Sequence, residues 1–307
     1  MILQPFYAPL GINTRTLKKL LRWAIRVLGI ILLVILVAAQ VIFTFRTSDE
    51  DAAATFAKQG VPFKTVYLPI KSKTMHYVVA GNDSLPTIVF IHGSPGSWTA
   101  FEDYLLDKEL VARYRMISID RPGFGYSNFG EALNFAEQGV LLSAVLQKIN
   151  NGKPIALVGH SLSGPMVIKL AAENPAANIN NVVVLAGSVD PALEEPEKWR
   201  NVINKIPLRY FIPGAMRPSN DELWMFKKDV YALTPDFARV TCNVILMHGD
   251  SDQLVPPPNA LYSQAHLTHA KTVSLIWLKG ENHFIPWTRF TDIKNQLLQL
   301  KDMQPVK

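Results

Sequence analysis

The sequence predicts an α/β fold: a mostly parallel sheet with helices on both faces, a helical insertion and an N-terminal transmembrane helix. Short apolar runs alternate with amphipathic helical patterns along residues 65–307, as is typical of a parallel sheet covered on both faces. Apolar residues make up 49% of the 307 residues, which is enough for a sizeable core. Residues 189–240 break the alternation and are too long for an ordinary connection, so they predict a cap over one end of the sheet.

The first element is an uncharged apolar stretch between Arg26 and Arg46, with the sequence VLGIILLVILVAAQVIFTF. Its 19 residues are about enough to span a bilayer as a helix. A helix also satisfies every backbone polar group without water, as lipid requires. The stretch therefore predicts a transmembrane helix at 23–46.

The charges that flank this helix predict its orientation. Basic residues precede it within residues 1–22, and the acidic residues 49–51 follow it. The positive-inside rule then predicts a cytoplasmic N-terminal tail at 1–22 and an extracytoplasmic position for residues 47–307. Two alternatives stay open. One is a signal peptide cleaved near the small residues 37–39, and the other is a core helix buried in the fold.

The net charge of +6 does not indicate a nucleic-acid partner. All six surplus charges lie in residues 1–46, while residues 47–307 hold 25 basic and 25 acidic residues. A phosphate-binding surface needs clustered basic charge, which this neutral part does not show. Cys242 is the only cysteine and cannot form an internal disulfide. No metal-ligand cluster or phosphate-binding loop stands out, so we expect no metal and no cofactor.

The elements after the apolar stretch alternate along the chain. Residues 47–64 predict a linker or a short amphipathic helix, and the domain at 65–307 follows. β-branched and aromatic residues predict a hairpin at 64–70 and 73–81. Continuous apolar runs predict buried strands at 87–93, 115–120, 154–160, 181–188, 242–249 and 271–280. Apolar residues at helical spacing predict helices at 97–114, 131–150, 161–174, 257–269 and from about 286.

A candidate nucleophile lies in the sequence LVGHSLSG at 157–164, where a strand turns sharply into a helix. Ser161 lies at the turn, and the small residues Gly159 and Ser163 lie two positions to either side, as a tight turn requires. Ser163 is about 200° around the helix from Ser161 and cannot share its direction. We expect Ser161 to be the nucleophile, with an ordinary helix N-cap as the alternative.

A serine hydroxyl needs a base to accept its proton and an acid to orient that base. Two aspartates, Asp250 and Asp252, follow the strand at 242–249. Asp252 is preferred as the acid because it lies just before the next predicted helix, while Asp250 is expected to shape the turn. Among seven histidines, only His283 lies between the last strand and the last helix, so His283 is the expected base.

The developing negative charge on a substrate oxygen needs preorganised donors. The loop HGSPGS follows the strand at 87–93 and ends near the same edge of the sheet. Its turn is expected to aim the backbone N–H of Ser94 at the point that the N–H of Leu162 also faces. These two groups are the predicted oxyanion hole.

Taken together, these segments resemble the α/β-hydrolase family over roughly residues 65–305. The resemblance rests on HGSPG, DRPGFGYS, GHSLSG, HGDSDQLVP and GENHF, which follow the family order. It implies a Ser-His-Asp hydrolase with a cap at 189–240, and it implies a structural role for Asp120. The HGxPG loop also occurs in epoxide hydrolases and haloalkane dehalogenases, which use an aspartate nucleophile where this chain has Ser161. Proline iminopeptidases typically have Gly-Gly-Ser-Trp-Gly at the turn, which this chain lacks.

The expected function is that of a membrane-anchored serine hydrolase, of carboxylesterase or lipase type, acting on a small-molecule or lipid-like acyl substrate. The aromatic residues of the cap favour an apolar acyl pocket or form the core of the cap itself. Two alternatives stay open: another hydrolysis by the same triad, of a C–C or amide bond or by perhydrolysis, and a non-catalytic binding protein. The sequence does not decide the substrate or the oligomeric state.

Overall fold

The central sheet has the mostly parallel order that the sequence predicts. The computed structural model describes residues 14–195 and 197–303, so the predicted tail at 1–22 lies partly outside the described residues. Eight strands among them form one sheet: β1 (Phe63–Ile70), β2 (Lys73–Ala80), β3 (Thr87–Ile91), β4 (Arg115–Ile119), β5 (Ile155–His160), β6 (Ile179–Leu185), β7 (Asn243–Gly249) and β8 (Thr272–Leu278). Their order is β1-β2-β4-β3-β5-β6-β7-β8. The β1–β2 and β2–β4 pairs are antiparallel, and the other neighbours are parallel.

Helices cover both faces of this sheet. They are α1 (Thr14–Ile42), α2 (Asp49–Gln59), α3 (Glu102–Leu106), α4 (Lys108–Arg113), α5 (Phe135–Ile149), α6 (Ser163–Glu173), α7 (Trp199–Ile203), α8 (Met216–Phe237), α9 (Pro258–His266), α10 (Ile285–Thr288) and α11 (Phe290–Leu298). Because β3, β4 and β5 are covered on both sides, every residue in them is buried. Alternate residues of β3 therefore join two separate cores: Val89 and Ile91 on one face, Ile88 and Phe90 on the other.

Two predicted helices are broken in the structure. The pattern at 97–114 gives a 3₁₀ turn followed by α3 and α4, because Asp107 ends one helix and caps the next. Its carboxylate accepts hydrogen bonds from the backbone N–H groups of Glu109 and Leu110, both at 3.0 Å. The final helix is likewise divided at Arg289, between α10 and α11.

The segment at 47–64, predicted as a linker or short helix, contains α2 and packs on the domain. Ser48 caps α2. Three acidic residues occupy the first turn, where their negative charges interact favourably with the positive end of the helix dipole and stabilise the helix. Its apolar face is buried, since Ala52 and Phe56 are 1% and 0% exposed. The ring of Phe56 stacks on that of Phe63 with centroids 4.1 Å apart.

Helix α1 is 29 residues long, yet none of its residues is buried, a feature that only the five-residue α7 shares among the described helices. It begins at Thr14, before the predicted start at residue 23, since the basic residues that precede the apolar stretch also favour helix. By length and composition it could cross a membrane, as an anchor or as a signal sequence. No second helix among residues 14–195 and 197–303 meets the same test.

The predicted cap at 189–240 is mainly helical. It contains α7, a 3₁₀ turn at Leu208–Phe211 and the long helix α8. Helix α8 packs on the domain through its buried residues, which include Phe226, Val230 and Phe237. The ring of Phe226 meets that of Phe135 on α5 edge to face, with centroids 5.4 Å apart. This contact holds the cap over the carboxyl ends of the parallel strands.

Candidate active site

The turn between β5 and α6 holds Ser161 in a strained backbone conformation. Ser161 has φ +56°, in the left-handed region that side chains rarely adopt. The turn leaves no room at Gly159, where an added Cβ would lie 2.3 Å from the carbonyl oxygen of Ser163. Strain of this kind persists only where the surrounding structure imposes it, and it places the Ser161 side chain at the tip of the turn.

Ser161 is hydrogen-bonded to a buried histidine that is itself bonded to a carboxylate. The Oγ atom of Ser161 lies 2.9 Å from Nε2 of His283. Nδ1 of His283 lies 2.8 Å from Oδ2 of Asp252. The three residues follow β5, β8 and β7, which are parallel strands of one sheet, so their carboxyl ends lie along the same edge. The structure thus brings together the serine, histidine and aspartate that the sequence singles out.

The carboxylate of Asp252 is held in its charged form. Its Oδ1 atom accepts hydrogen bonds from the backbone N–H groups of Leu254, at 2.9 Å, and Val255, at 2.8 Å. Burial alone would raise the pKa of Asp252, but the hydrogen bonds from His283 and Val255 outweigh it and lower the pKa below its usual value. An ionised Asp252 keeps the proton on Nδ1 of His283, which leaves Nε2 free to accept one.

The other candidates of the sequence lie in structural positions. Asp250 is exposed and accepts a hydrogen bond from the backbone N–H of Gly280 at 2.7 Å, so it shapes the turn. Ser163 is fully buried, and its hydroxyl donates to the backbone carbonyl of His92. That contact ties the turn at Ser161 to the loop after β3.

The loop HGSPGS packs directly against the turn that carries Ser161. An added Cβ at Gly93 would lie 3.0 Å from the Cβ of Ser161 and would push against the turn, so glycine favours this close approach. Both Ser94 and Leu162 line the same pocket as Ser161. The hydroxyl of Ser94 donates to that of Ser219 in the cap, at 2.9 Å. That the N–H groups of Ser94 and Leu162 converge on one oxygen remains a prediction.

A pocket of about 930 Å³ lies above Ser161, between the sheet edge and the cap. Its walls are mixed: Leu223 and Phe226 of the cap are apolar, whereas Glu194 and Arg200 are polar. Burial raises the pKa of Glu194, although a hydrogen bond from Ser188 opposes this. Such a volume accommodates a substrate of drug or lipid-fragment size.

A buried ion pair connects the cap to the HGSPGS loop, and sequence reasoning did not find it. Arg121 is fully buried and donates to the backbone carbonyl of Gly93 at 3.2 Å. It also donates to Gln138 at 3.1 Å and to the carboxylate of Glu222 on α8. Arg121 thus links the loop beside Ser161 to the main helix of the cap. A buried charge needs such a partner, but no sequence pattern names a partner about a hundred residues away.

His160 is a second residue whose position the sequence does not disclose. Its Nε2 atom lies 3.1 Å from the carbonyl oxygen of His283, and the two rings have centroids 4.9 Å apart. Burial, with a contribution from the nearby His283, lowers the pKa of His160 to about 3. His160 is therefore neutral beside the site at physiological pH.

Within the ranges that the structure describes, no group of three or more His, Cys, Asp or Glu side chains could hold a metal ion. The polar groups around Ser161 instead form hydrogen bonds with one another and with backbone atoms. The arrangement suits proton transfer between a hydroxyl, an imidazole and a carboxylate.

Comparisons with known proteins identify the fold on which this site is built. A family model described as the alpha/beta hydrolase fold matches residues 86–211. The chain is 30% identical over 127 residues to Epoxide hydrolase 3 of Xenopus tropicalis, covering 40% of this chain and 34% of that protein. It is 33% identical over 106 residues to the sn-1-specific diacylglycerol lipase ABHD11 of Mus musculus, covering 34% of each. The chain thus spans about a third of the length of these relatives.

Solved structures extend the likeness over most of the chain. A bacterial membrane phospholipase A superposes with a TM-score of 0.57 at 17% identity, covering 89% of this chain and 97% of that one. At this identity the likeness concerns the fold. The fold predicted from the sequence is therefore confirmed: a mostly parallel eight-stranded sheet flanked by helices.

Proposed function

Because the chain belongs to the α/β-hydrolase family, we propose that it is a membrane-anchored serine hydrolase that cleaves carboxylic esters through an acyl-enzyme. One observation carries this proposal. The hydroxyl of Ser161 lies 2.9 Å from His283, which lies 2.8 Å from Asp252, at the floor of a pocket open to a substrate. A hydroxyl, a base and an orienting acid at these distances form the arrangement that activates a serine.

The reaction follows from this geometry in two stages. His283 accepts the proton of Ser161 as the hydroxyl oxygen attacks the ester carbonyl carbon, and Asp252 stabilises the imidazolium that forms. The backbone N–H groups of Ser94 and Leu162 donate to the oxyanion, and loss of one such donor costs about 100- to 1,000-fold in turnover. His283 then delivers its proton to the departing alkoxide. Water, activated by the same histidine, hydrolyses the acyl-enzyme.

A serine at the turn favours ester cleavage over epoxide opening, although one relative is an epoxide hydrolase. The epoxide hydrolases with an HGxPG loop use an aspartate at the position of Ser161, and a carboxylate nucleophile suits an epoxide carbon. A hydroxyl activated by a neutral base adds instead to a carbonyl. Hydrolysis of an amide or C–C bond and perhydrolysis use the same groups and remain alternatives, as does a binding protein without catalysis.

The pocket supports an acyl substrate of lipid type. Leu223, Phe226 and Phe45 supply apolar wall, and the volume of about 930 Å³ exceeds what a short ester fills. Two similar proteins are named as lipases of this kind, the diacylglycerol lipase and the membrane phospholipase A. The apolar helix α1 would keep the enzyme at the membrane where such lipids reside.

We place the N-terminus in the cytoplasm and the hydrolase domain outside, with α1 as an uncleaved anchor. The basic residues Arg15 to Arg26 precede the apolar stretch, as the positive-inside rule requires. The helix also continues through Ala39 to Ile42 without a break, so the small residues at 37–39 lie inside it. A signal peptide has its small-residue cleavage site after its apolar region, whereas here the apolar run continues past Ala39, which supports the anchor over a cleaved signal sequence.

Labelling with a fluorophosphonate probe tests the nucleophile. We expect the full-length protein in membranes to be labelled, and Ser161→Ala and His283→Ala to lose the label. Ser163→Ala is the matched control, since Ser163 lies two residues away but is fully buried, and it should keep the label. If folded wild type stays unlabelled, or if Ser161→Ala is labelled, the proposed nucleophile is wrong and the binding-protein alternative gains support.

A further inference from the structure

The end of α1 is fixed to the cap by a set of hydrogen bonds. The side-chain N–H of Gln40 donates to the carbonyl oxygens of Tyr210 and Ile212, at 3.2 and 3.3 Å. Its carbonyl oxygen accepts from Arg217 at 2.7 Å. The backbone N–H of Ala215 donates to the carbonyl oxygen of Phe43 at 2.8 Å. Gln40 is the one polar residue inside the apolar stretch before Thr44, and both ends of its side-chain amide are hydrogen-bonded to the cap.

This attachment sets the level of the cap relative to a membrane. If α1 spans the bilayer, its last turn around Gln40 lies near the bilayer surface, because α1 ends at Ile42. Its uncharged part, residues 27–42, is about 24 Å long, so the hydrocarbon core of about 30 Å needs the helix to its end. The residues bonded to that turn, 210–217, then lie at the same surface. The cap cannot move far from it without breaking these contacts.

The part of the cap beside this attachment is exposed, apolar and basic. We call residues 198–212 the interface segment. Its large apolar side chains are exposed to between 44% and 73%: Trp199, Val202, Ile206, Leu208, Tyr210 and Phe211. Its exposed lysines, Lys198 and Lys205, add positive charge, and the segment contains no acidic residue. Its two arginines, Arg200 and Arg209, are paired with Glu197 and Asp221 outside the segment. Clustered apolar exposure of this kind marks an interaction surface. Aromatic and basic residues together are the composition that favours the lipid headgroup region.

We infer that the interface segment lies in the headgroup layer of the membrane that α1 crosses, and that substrates enter the pocket from this layer. The pocket above Ser161 is lined by Phe45, three residues beyond α1, and by Arg200 of the interface segment. The pocket wall is therefore continuous with both parts of the protein that meet the bilayer. This inference rests on the proposed anchor and deepens the proposed function, since it makes the substrate a bilayer-resident acyl lipid.

A second copy of the chain fits the interface segment less well than a membrane does. A symmetric dimer would bring the same patch of each copy together, and Lys198 and Lys205, both exposed, would then face like charges. Anionic lipid headgroups supply the opposite charge instead. The charge of the segment thus favours a membrane over a copy of itself.

Depth-dependent quenching tests the position of the segment. In a Cys242→Ala background, Ile206→Cys and Tyr231→Cys are each labelled with an NBD fluorophore and reconstituted as full-length chains in vesicles of phosphatidylcholine and phosphatidylglycerol. The two sites are matched, since Ile206 is 73% and Tyr231 72% exposed. Tyr231 lies on α8, about 22 Å of helix beyond Met216. We expect lipids spin-labelled in the headgroup to quench the probe at 206 at least about threefold more than that at 231. Equal quenching would overturn the inference.

Kinetics separates failure of this inference from failure of the proposed function. The double variant Ile206→Asn/Phe211→Asn should hydrolyse a long-chain acylglycerol in vesicles at least about fivefold more slowly than wild type. Its rate on soluble p-nitrophenyl butyrate should be unchanged, and Tyr231→Asn should leave both rates unchanged. If the double variant and wild type hydrolyse the vesicle lipid at equal rates, the inference is wrong, although the proposed ester hydrolysis is unaffected. If wild type cleaves neither ester, the proposed function fails, and the quenching result still decides where the segment lies.

Discussion

Two buried histidine–aspartate pairs among the described residues have nearly the same geometry, but of the two histidines it is His283 that lines the pocket above Ser161. Nδ1 of His283 lies 2.8 Å from Asp252, and Nδ1 of His76 lies 2.7 Å from Asp120. Each carboxylate is also fixed by two backbone N–H groups. Asp120 accepts from the backbone of Trp98 at 2.7 Å and of Tyr126 at 2.8 Å, much as Asp252 accepts from the chain after β7.

The pairs differ in what lies at the second ring nitrogen. Nε2 of His283 faces the hydroxyl of Ser161. Nε2 of His76 is buried without a hydrogen-bond partner among the described residues, and its nearest carboxylate, Asp49, lies 3.9 Å away. A histidine–aspartate pair is thus not itself a catalytic device. It becomes one only where a nucleophile and an open pocket share the other nitrogen.

Replacing each histidine is the strongest way to break this comparison. We expect His283→Ala to lower kcat for p-nitrophenyl butyrate about 10⁴-fold or more, since the base is lost, with little change in melting temperature. We expect His76→Ala to leave kcat within about threefold but to destabilise the fold by about 1–3 kcal/mol, because Asp120 loses a buried partner. Ester hydrolysis and differential scanning fluorimetry of the purified full-length protein measure both effects. A His76→Ala protein that melts normally but is inactive would show that the second pair also serves catalysis.

Replacing the aspartates sharpens the comparison with a somewhat smaller effect. Asp252→Asn should lower kcat about 10³- to 10⁴-fold, because an amide in that position favours the wrong tautomer of His283. The exposed Asp250→Asn is the matched control, two residues away, and should stay within about threefold of wild type in the same ester assay. An inactive Asp250→Asn with an active Asp252→Asn would reverse the assignment of the acid.

The candidate site could be predicted because its chemistry follows chain order. A serine between a buried strand and a helix, an aspartate after β7 and a histidine after β8 must meet at one edge of a parallel sheet. Choosing Asp252 over Asp250 also depended on local position. Helix α9 begins only at Pro258, but Asp252 accepts hydrogen bonds from the backbone N–H groups of Leu254 and Val255 in the turn that precedes it. The positions of the central strands could also be predicted from the sequence, because strands buried on both faces are continuous apolar runs.

Contacts between distant parts of the chain could not be predicted. Nothing around Arg121 indicates that it pairs with Glu222 of the cap, because the pairing depends on how α8 packs. The same holds for Gln40, a polar residue of the apolar stretch whose side chain bonds to Gly214 and Arg217 of the cap. The break at Asp107 was missed because a side-chain cap competes with helix continuation only once tertiary packing turns the chain.

The smallest expected effect concerns the surroundings of the active pair, where His160 lies neutral against His283. Its pKa of about 3, against an ordinary 6.5, means that between these pH values the unfolded chain binds a proton at residue 160 and the folded chain does not. Stability is therefore full above about pH 6.5 and falls as the pH is lowered toward 3, by about 1.4 kcal/mol per pH unit for this group. His92, with a pKa also lowered to about 3 by burial and by Arg121, adds a similar slope.

His160→Gln should lower this pH dependence without abolishing it, because burial also lowers the pKa of His92 and of His248, which would still contribute. Urea denaturation of the full-length protein between pH 7 and pH 4, with the exposed His269→Gln as a control of the same chemistry, measures the slope. A slope unchanged in His160→Gln would mean that this ring accepts a proton in the folded protein. In that case the folded site would tolerate a cation beside His283.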